Sequence, residues 1–338
     1  MPAAKDRVGL DIGSRFVKAL QVRDEAGKLA ITEFGMVEVD TPENAPQAVG
    51  QLFGRKNFKG NKRVQLGVSG RSVFVRYVQM SKMSDEELVN AARYELGKYI
   101  PIEVDEVIHD CKKLEEPAEG DAEMRVVLVA ARRAFIDKQI RIVENADLYP
   151  NLIDVECFAL GNAYEAALAQ KPESAAAGVV ALVDVGASKT NVVIVARNTC
   201  QFTREFYKGG DDITDVLSKK LGIEAKKAEA LKRAPKDETL NVQGAVEDVL
   251  EEICQDVKIS IDFFENQNDM SVDQVLLTGG GAATPGLQQA MERMVGKPLE
   301  LWNPIDQVPL QLSPQSEAEL RAAGSQSIVA LGLAARDA

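Results

Sequence analysis

The 338-residue sequence is poor in the residues that most enzyme chemistry leans on. It has one histidine, His109, so chemistry built on a histidine base or a histidine metal cluster is all but excluded. Its four cysteines (Cys111, Cys157, Cys200 and Cys254) are scattered without a C-x-x-C pair, which argues against a disulfide framework or a zinc site. Cationic charge is in deficit, 40 Lys and Arg against 52 Asp and Glu, for a net charge of −12. That denies the chain the basic surface a nucleic-acid backbone requires, while a single nucleotide needs only local donors. No run of about 18 apolar residues occurs, and no apolar stretch follows the N-terminal charges. The terminal ALGLAARDA is too short and too weakly basic for a membrane-surface helix. The expectation is a cytoplasmic protein that meets a membrane only through partners. The P-loop pattern G-x-x-x-x-G-K-[ST] is missing as well. Chemistry, if any, must run on carboxylates, a divalent cation or water.

What is present is a soluble composition, 45% hydrophobic and 27% charged, with length enough for two cores. The chain echoes itself. Residues 8–22, VGLDIGSRFVKALQV, and 181–195, ALVDVGASKTNVVIV, each read as an apolar strand ending in Asp-aliphatic-Gly, a small polar turn and a second apolar strand. Asp11 matches Asp184, and Gly13 matches Gly186. Two similar halves, each opening on a β-hairpin, are the simplest account. Between them, strands are expected at 63–68, 72–79, 105–114, 124–131 and 151–155. Helices are expected at 84–99, with Ser84 and Glu87 as a capping box, and at 134–147 and 157–170. Residues 171–178 read as a linker. The second half predicts helices at 211–221, 225–233, 242–267, 284–295 and 326–336, and a strand at 272–278.

Three constellations can carry chemistry. At each hairpin a strand-end Asp can hold a hydrated Mg²⁺, and the following Gly lets backbone approach an anion. Ser14, Arg15 and Lys18 in the first hairpin, and Ser188, Lys189 and Thr190 in the second, offer phosphate donors. The run Gly279-Gly280-Gly281-Ala282, between a strand and a helix, offers bare backbone to a purine or ribose. Gly209-Gly210 permits close approach at a helix start, and Lys226 and Glu229 follow three apart on one helical face. Each signal alone also fits an ordinary turn, a flexible loop or a solvated ion pair.

Their order is more telling: Asp-Ile-Gly hairpin, Asp154 at a strand end before a helix, Asp-Val-Gly hairpin, Gly-Gly-Gly, terminal helix. This series resembles the actin, hexokinase and Hsp70 superfamily. Within it, MSDEELVNAARYELGKYIPIEVDEVIHDCKKL at 83–114 is similar to the matching segment of the type IV pilus assembly PilM family, close to the FtsA branch. The resemblance implies an α/β fold, actin-like (ribonuclease H-like), with duplicated halves and an FtsA/PilM-type insertion. It implies subdomain 1A over 5–74 and 151–177, insertion 1C over 75–150, subdomain 2A over 178–208 and 271–338, and 2B over 209–270. The implied cofactors are ATP and Mg²⁺, with Asp11 and Asp184 at the metal. Phosphates fall to Gly13, Ser14, Arg15, Lys18, Gly186, Ala187, Ser188, Lys189 and Thr190. Ribose and adenine fall to Gly209, Gly210, Lys226, Glu229 and Gly279 to Ala282. Asp154 or Glu156 would position a hydrolytic water, though the expectation is binding with slow or no turnover. The implied partner is the N-terminal cytoplasmic peptide of the membrane protein PilN, seated between 1A and 1C against roughly residues 60–115. An actin-like filament former and a sugar-kinase-type phosphotransferase stay open beside the scaffold reading.

Overall fold

In the computed structural model, residues 5–25, 27–56, 58, 61–170, 178–233 and 242–336 are described. The expected linker at 171–178 falls, apart from Gly178, outside them. The first hairpin pairs β1 (Lys5–Ile12) with β2 (Phe16–Glu25), and a strand the sequence did not announce, β3 (Lys28–Glu38), continues the meander. Strands β4 (Arg63–Val68) and β8 (Tyr149–Val155) add in parallel on the far side of β1, giving the order β3-β2-β1-β4-β8.

The second half repeats this plan. Strands β9 (Val180–Val185), β10 (Thr190–Ala196) and β11 (Thr199–Phe206) form the antiparallel meander. Parallel β12 (Gln274–Thr278) and β13 (Leu299–Leu301) complete the order β11-β10-β9-β12-β13. Of the parallel strands, β4 and β12 are buried along nearly their whole length, as strands covered on both faces are.

Helices α4 (Glu156–Gln170) and α10 (Ile328–Ala335) lie between the two sheets and share one core with both. Leu20 and Ile31 come to that core from the first sheet, and Leu182 and Val193 from the second. The two helices cross with backbone nearly in contact. A Cβ on Gly332 would fall 1.7 Å from the carbonyl oxygen of Ala159, so no other residue fits there. Outside the first sheet pack α1 (Ala45–Arg55) and α3 (Arg133–Glu144). Outside the second pack α5 (Gly210–Leu221), α6 (Ala225–Arg233), α7 (Val242–Asn268) and α8 (Leu287–Val295).

Between β4 and β8 in the chain, β5 (Val73–Ser81), β6 (Val107–Lys113) and β7 (Glu123–Arg132) make a separate antiparallel sheet in the order β5-β7-β6. Helix α2 (Asp85–Leu96) lays Leu88, Ala92 and Leu96 on it, and the expected capping box is formed. Glu87 N–H donates to Ser84 Oγ at 3.3 Å, and Ser84 N–H donates to Glu87 Oε2 at 2.8 Å. The helix stops at Leu96, ahead of the Tyr99 expected from sequence, because Gly97 and a tight turn end it before Pro101 is reached. Two further helices were not legible in the sequence, α1 and α9 (Pro314–Ala323); α9 packs beside β3.

Candidate functional site

The two hairpin turns are built alike. Gly13 N–H donates to the Phe16 carbonyl at 3.0 Å, and Gly186 N–H donates to the Lys189 carbonyl at 2.9 Å. In register, Asp11 faces Lys18 and Asp184 faces Asn191. Each acid is held by its cross-strand neighbour: Lys18 Nζ lies 2.6 Å from Asp11 Oδ2, and Asn191 Nδ2 donates to Asp184 Oδ2 at 3.2 Å. The two turns face each other across a cleft of about 480 Å³ between the halves.

Three other segments complete its walls. The start of α5 sits on the second turn, where Gly210 and Asp211 N–H donate to the carbonyls of Gly186 and Ala187. Gly279 passes so close to Asp184 that a Cβ would meet its Oδ1 at 2.3 Å, and its φ of +88° lies in the region that favours glycine. The first residue of α4, Glu156, projects into the cleft from the first half.

Charges cross the cleft in both directions. Arg15, on the first turn, reaches Asp211 Oδ1 at 2.8 Å and Glu229 Oε2 at 2.9 Å in the second half. Lys189, on the second turn, reaches Glu156 Oε2 at 2.8 Å and Ser69 in the first half, and Glu205 Oε2 at 2.8 Å in its own.

Of the residues expected from sequence, the cleft is lined by Asp11, Gly13, Ser14, Arg15 and Lys18 from the first hairpin. Asp184, Gly186, Ala187, Ser188 and Lys189 line it from the second, with Gly210, Glu229 and Gly279 to Gly281 beyond. Five others stand back. Thr190 is buried and donates to the Lys208 carbonyl at 2.8 Å, and Gly209 packs against the carbonyls of the second turn. Ala282 is buried in the short helix after Gly279. Lys226 is exposed on α6, since it precedes buried Ala228 by two residues and so points the opposite way. Asp154 forms an ion pair with Arg336 and accepts from Asn162 Nδ2 at 3.3 Å, so its surroundings are those of a structural carboxylate.

The position expected for Lys226 is taken by Lys232, which is buried. Its Nζ donates to the Gly210 carbonyl at 2.7 Å and to Thr214 Oγ1 at 2.9 Å, and lies 2.7 Å from Glu229 Oε2. Two spacings in the sequence fit it: three residues from Glu229, as for Lys226, and four from Ala228 along one helix face. Asn191 and Gln326 also line the cleft without having been expected there.

Burial raises the carboxyl of Asp184 to about 6, against the hydrogen bond from Asn191. Burial raises Asp11 as well, with Lys18 opposing. For Lys18 burial acts downward, but the Asp11 carboxylate overcomes it and holds the ammonium above its ordinary range. Burial would raise Glu229 too, yet Lys232, Thr214 and Arg15 bring it down to about 2.

No group of three or more His, Cys, Asp or Glu side chains suited to a metal occurs among the described residues. Asp11 and Asp184, which both line the cleft, are the kind of ligand Mg²⁺ takes, an ion that keeps several waters and is commonly shared between one or two carboxylates and phosphate oxygens.

A family model described as type IV pilus assembly protein PilM matches residues 9–338. The chain belongs to the PilM family. A solved PilM-PilN type IV pilus biogenesis complex resembles this PilM-family chain with a TM-score of 0.84 and 27% identity, covering 97% of each chain. Cell division protein FtsA of Streptococcus pneumoniae serotype 2 (strain D39 / NCTC 7466) is 22% identical over 350 residues, 88% of this chain and 75% of FtsA. Ethanolamine utilization protein EutJ from Carboxydothermus hydrogenoformans shares the fold, with a TM-score of 0.56 and 16% identity over 99% of this chain and 90% of EutJ. The fold of this PilM-family member is thus actin-like, with two duplicated halves. None of its described helices is long and apolar enough to cross a membrane.

Proposed function

We propose that the chain is an ATP-binding scaffold of type IV pilus assembly that docks the N-terminal peptide of a PilN-type membrane partner. The observation that carries the nucleotide half is the pair of opposed glycine turns, each backed by a buried Asp, facing one cleft between two halves. Backbone at Gly13–Ser14 and Gly186–Ser188 would hold phosphate oxygens, with Lys18 supplying charge. Asp11 and Asp184 would hold Mg²⁺ and its waters. When bound, the ion neutralises phosphate charge. Glu229 and Lys232 border the cleft on the side of α5 and α6, where a ribose would sit.

The partner half rests on a second groove of about 420 Å³. It runs between β5 and β11, each of which is the edge strand of its sheet. Unpaired backbone on two facing edges suits an extended peptide, which gains main-chain hydrogen bonds as an added strand. Val73, Phe74 and Val75 give it apolar wall, and Arg71, Arg76 and Arg204 give it positive charge. Residues 69–71 and 73–76 of this wall fall inside the span expected for the peptide, while the opposite wall comes from the second half. Family membership and the likeness to a PilM-PilN complex support this reading.

The test is fluorescence anisotropy with a labelled N-terminal peptide of the PilN-type partner from the same organism. Saturable binding that Phe74→Asp weakens at least tenfold is the expected result. Unchanged binding in that variant removes the groove from the reading. Nucleotide-dependent pelleting of the chain, without peptide binding, would favour a filament former instead.

A further inference from the structure

The two halves are joined on one side of the cleft and pinned on another. On the joined side, α4 and α10 share a core with both sheets, and their first residues, Glu156, Ile328 and Val329, reach the cleft wall. On the side of α5 and α6, the halves meet through side chains of the first turn. Arg15 forks there: its Nη2 lies 2.8 Å from Asp211 Oδ1 on α5, and its Nη1 lies 2.9 Å from Glu229 Oε2 on α6. Beside it, the Arg233 guanidinium of α6 lies 5.7 Å from the centre of the Phe16 ring, within cation–π range. All five residues line the cleft.

Both ends of this bridge are anchored. In the first half the Arg15 carbonyl accepts from Val39 N–H at 2.8 Å, which fixes the turn to the end of β3. In the second, Lys232 Nζ lies 2.7 Å from Glu229 Oε2, and Thr214 Oγ1 donates to the same oxygen at 2.5 Å. Arg233 Nε donates to Glu229 Oε1 at 2.6 Å. The part free to move is therefore the Arg15 side chain. Glu229 keeps Lys232 and Arg233 when Arg15 leaves. The Arg15 and Asp211 side chains are 27% and 40% exposed, so water can take over their hydrogen bonds as the bridge opens.

We infer that Arg15 is a latch on the cleft: its bridge to Asp211 and Glu229 must break before a nucleotide enters or leaves, so it sets the rate of exchange. This rests on the ATP reading above. The sequence places Arg15 among the phosphate donors, whereas in the fold its guanidinium is taken by two carboxylates of the opposite half. The two roles leave different kinetic marks. A phosphate ligand stabilises the bound state alone, so its loss speeds release without speeding entry. A latch holds the walls together whether or not the cleft is filled, so its loss speeds entry and release alike.

Stopped-flow measurements with a fluorescent ATP analogue and Mg²⁺ give both rate constants, release being followed by a chase with unlabelled ATP. Asp211→Asn removes the charge of one arm with little change of shape. It should raise both rate constants roughly threefold, and Arg15→Met should raise both roughly tenfold. Arg15→Lys keeps the charge but cannot fork to two carboxylates, so its rates should fall between those of the natural chain and Arg15→Met. Rates that stay unchanged in both Asp211→Asn and Arg15→Met overturn the inference. Faster release with unchanged association overturns it too, and makes Arg15 a phosphate ligand instead. No binding of the analogue to the natural chain overturns the ATP reading beneath, and is seen before any variant is compared.

Discussion

Lys18 Nζ lies 2.6 Å from Asp11 Oδ2 across the β1–β2 register, and Asn191 holds Asp184 from the same place in the second hairpin. One half backs its acid with a cation and the other with an amide. Asp11 therefore has a cation in direct contact, whereas Asp184 is held by an amide and feels the Lys18 charge without an ion pair to it.

Replacing Lys18 by Met leaves Asp11 buried without its counter-charge. Breaking one partner of a buried pair costs about 3 kcal/mol, because the remaining charge has no compensation. Urea denaturation should show that loss, and Asp11→Asn added to Lys18→Met should recover much of it. A loss under about 1 kcal/mol would mean that Asp11 simply takes up a proton when Lys18 is gone.

Gly279 admits no side chain. At φ +88° an alanine is strained, and its Cβ would fall 2.3 Å from Asp184 Oδ1 and 2.6 Å from the Val185 carbonyl. Backbone strain alone is worth about 1–2 kcal/mol, and the clash adds to it. Gly279→Ala should lower stability by more than that and displace Asp184. Gly27, at φ +85° with nothing near its Cβ position, is the control: the same substitution there should cost the strain only.

Acid should weaken the contact between the first turn and α6. The Glu229 carboxyl sits at about 2 in the folded chain, below the ordinary carboxylate range. The folded state therefore binds this proton later than the unfolded one. The stability it contributes is complete above about pH 4.5 and is lost as pH falls toward 2. Allowing for partial exposure, the contribution is about 1–2 kcal/mol. Denaturation midpoints of the natural chain should fall more steeply between pH 4.5 and 2 than those of Glu229→Gln. Parallel curves would contradict the assignment.

Arg336 tests the place of Asp154. If Asp154 is structural, Arg336→Met should destabilise the chain by about 2 kcal/mol through the orphaned carboxylate and leave nucleotide affinity alone. A large loss of affinity with unchanged stability would return Asp154 to the cleft.

How much of this was readable beforehand depended on whether a residue's partner was local. Asp11 and Asp184 could be matched by eye because Asp-aliphatic-Gly survives in both halves. Lys18 and Asn191 hold matching places in the two stretches, but their side chains differ, and only the strand register shows that each faces its own half's acid. Lys226 and Lys232 both lie three residues from Glu229, so spacing does not separate them; the burial of Ala228 decides which faces inward. The pairing of Asp154 with Arg336 joins distant parts of the chain, and no local pattern announces it. Likewise β3 and β11 complete meanders whose first two strands were recognised, yet edge strands alternate too loosely to stand out. The groove between β5 and β11 exists only once both sheets are assembled.

The account stands or falls on whether the two turns hold a nucleotide together. Calorimetric titration of ATP with Mg²⁺ into the natural chain, into Asp11→Asn and into Asp184→Asn tests that most directly. The prediction is a single site per chain, with each substitution weakening binding at least tenfold, on the order of 1.4 kcal/mol. No heat of binding in the natural chain, or an affinity indifferent to both substitutions, would contradict it.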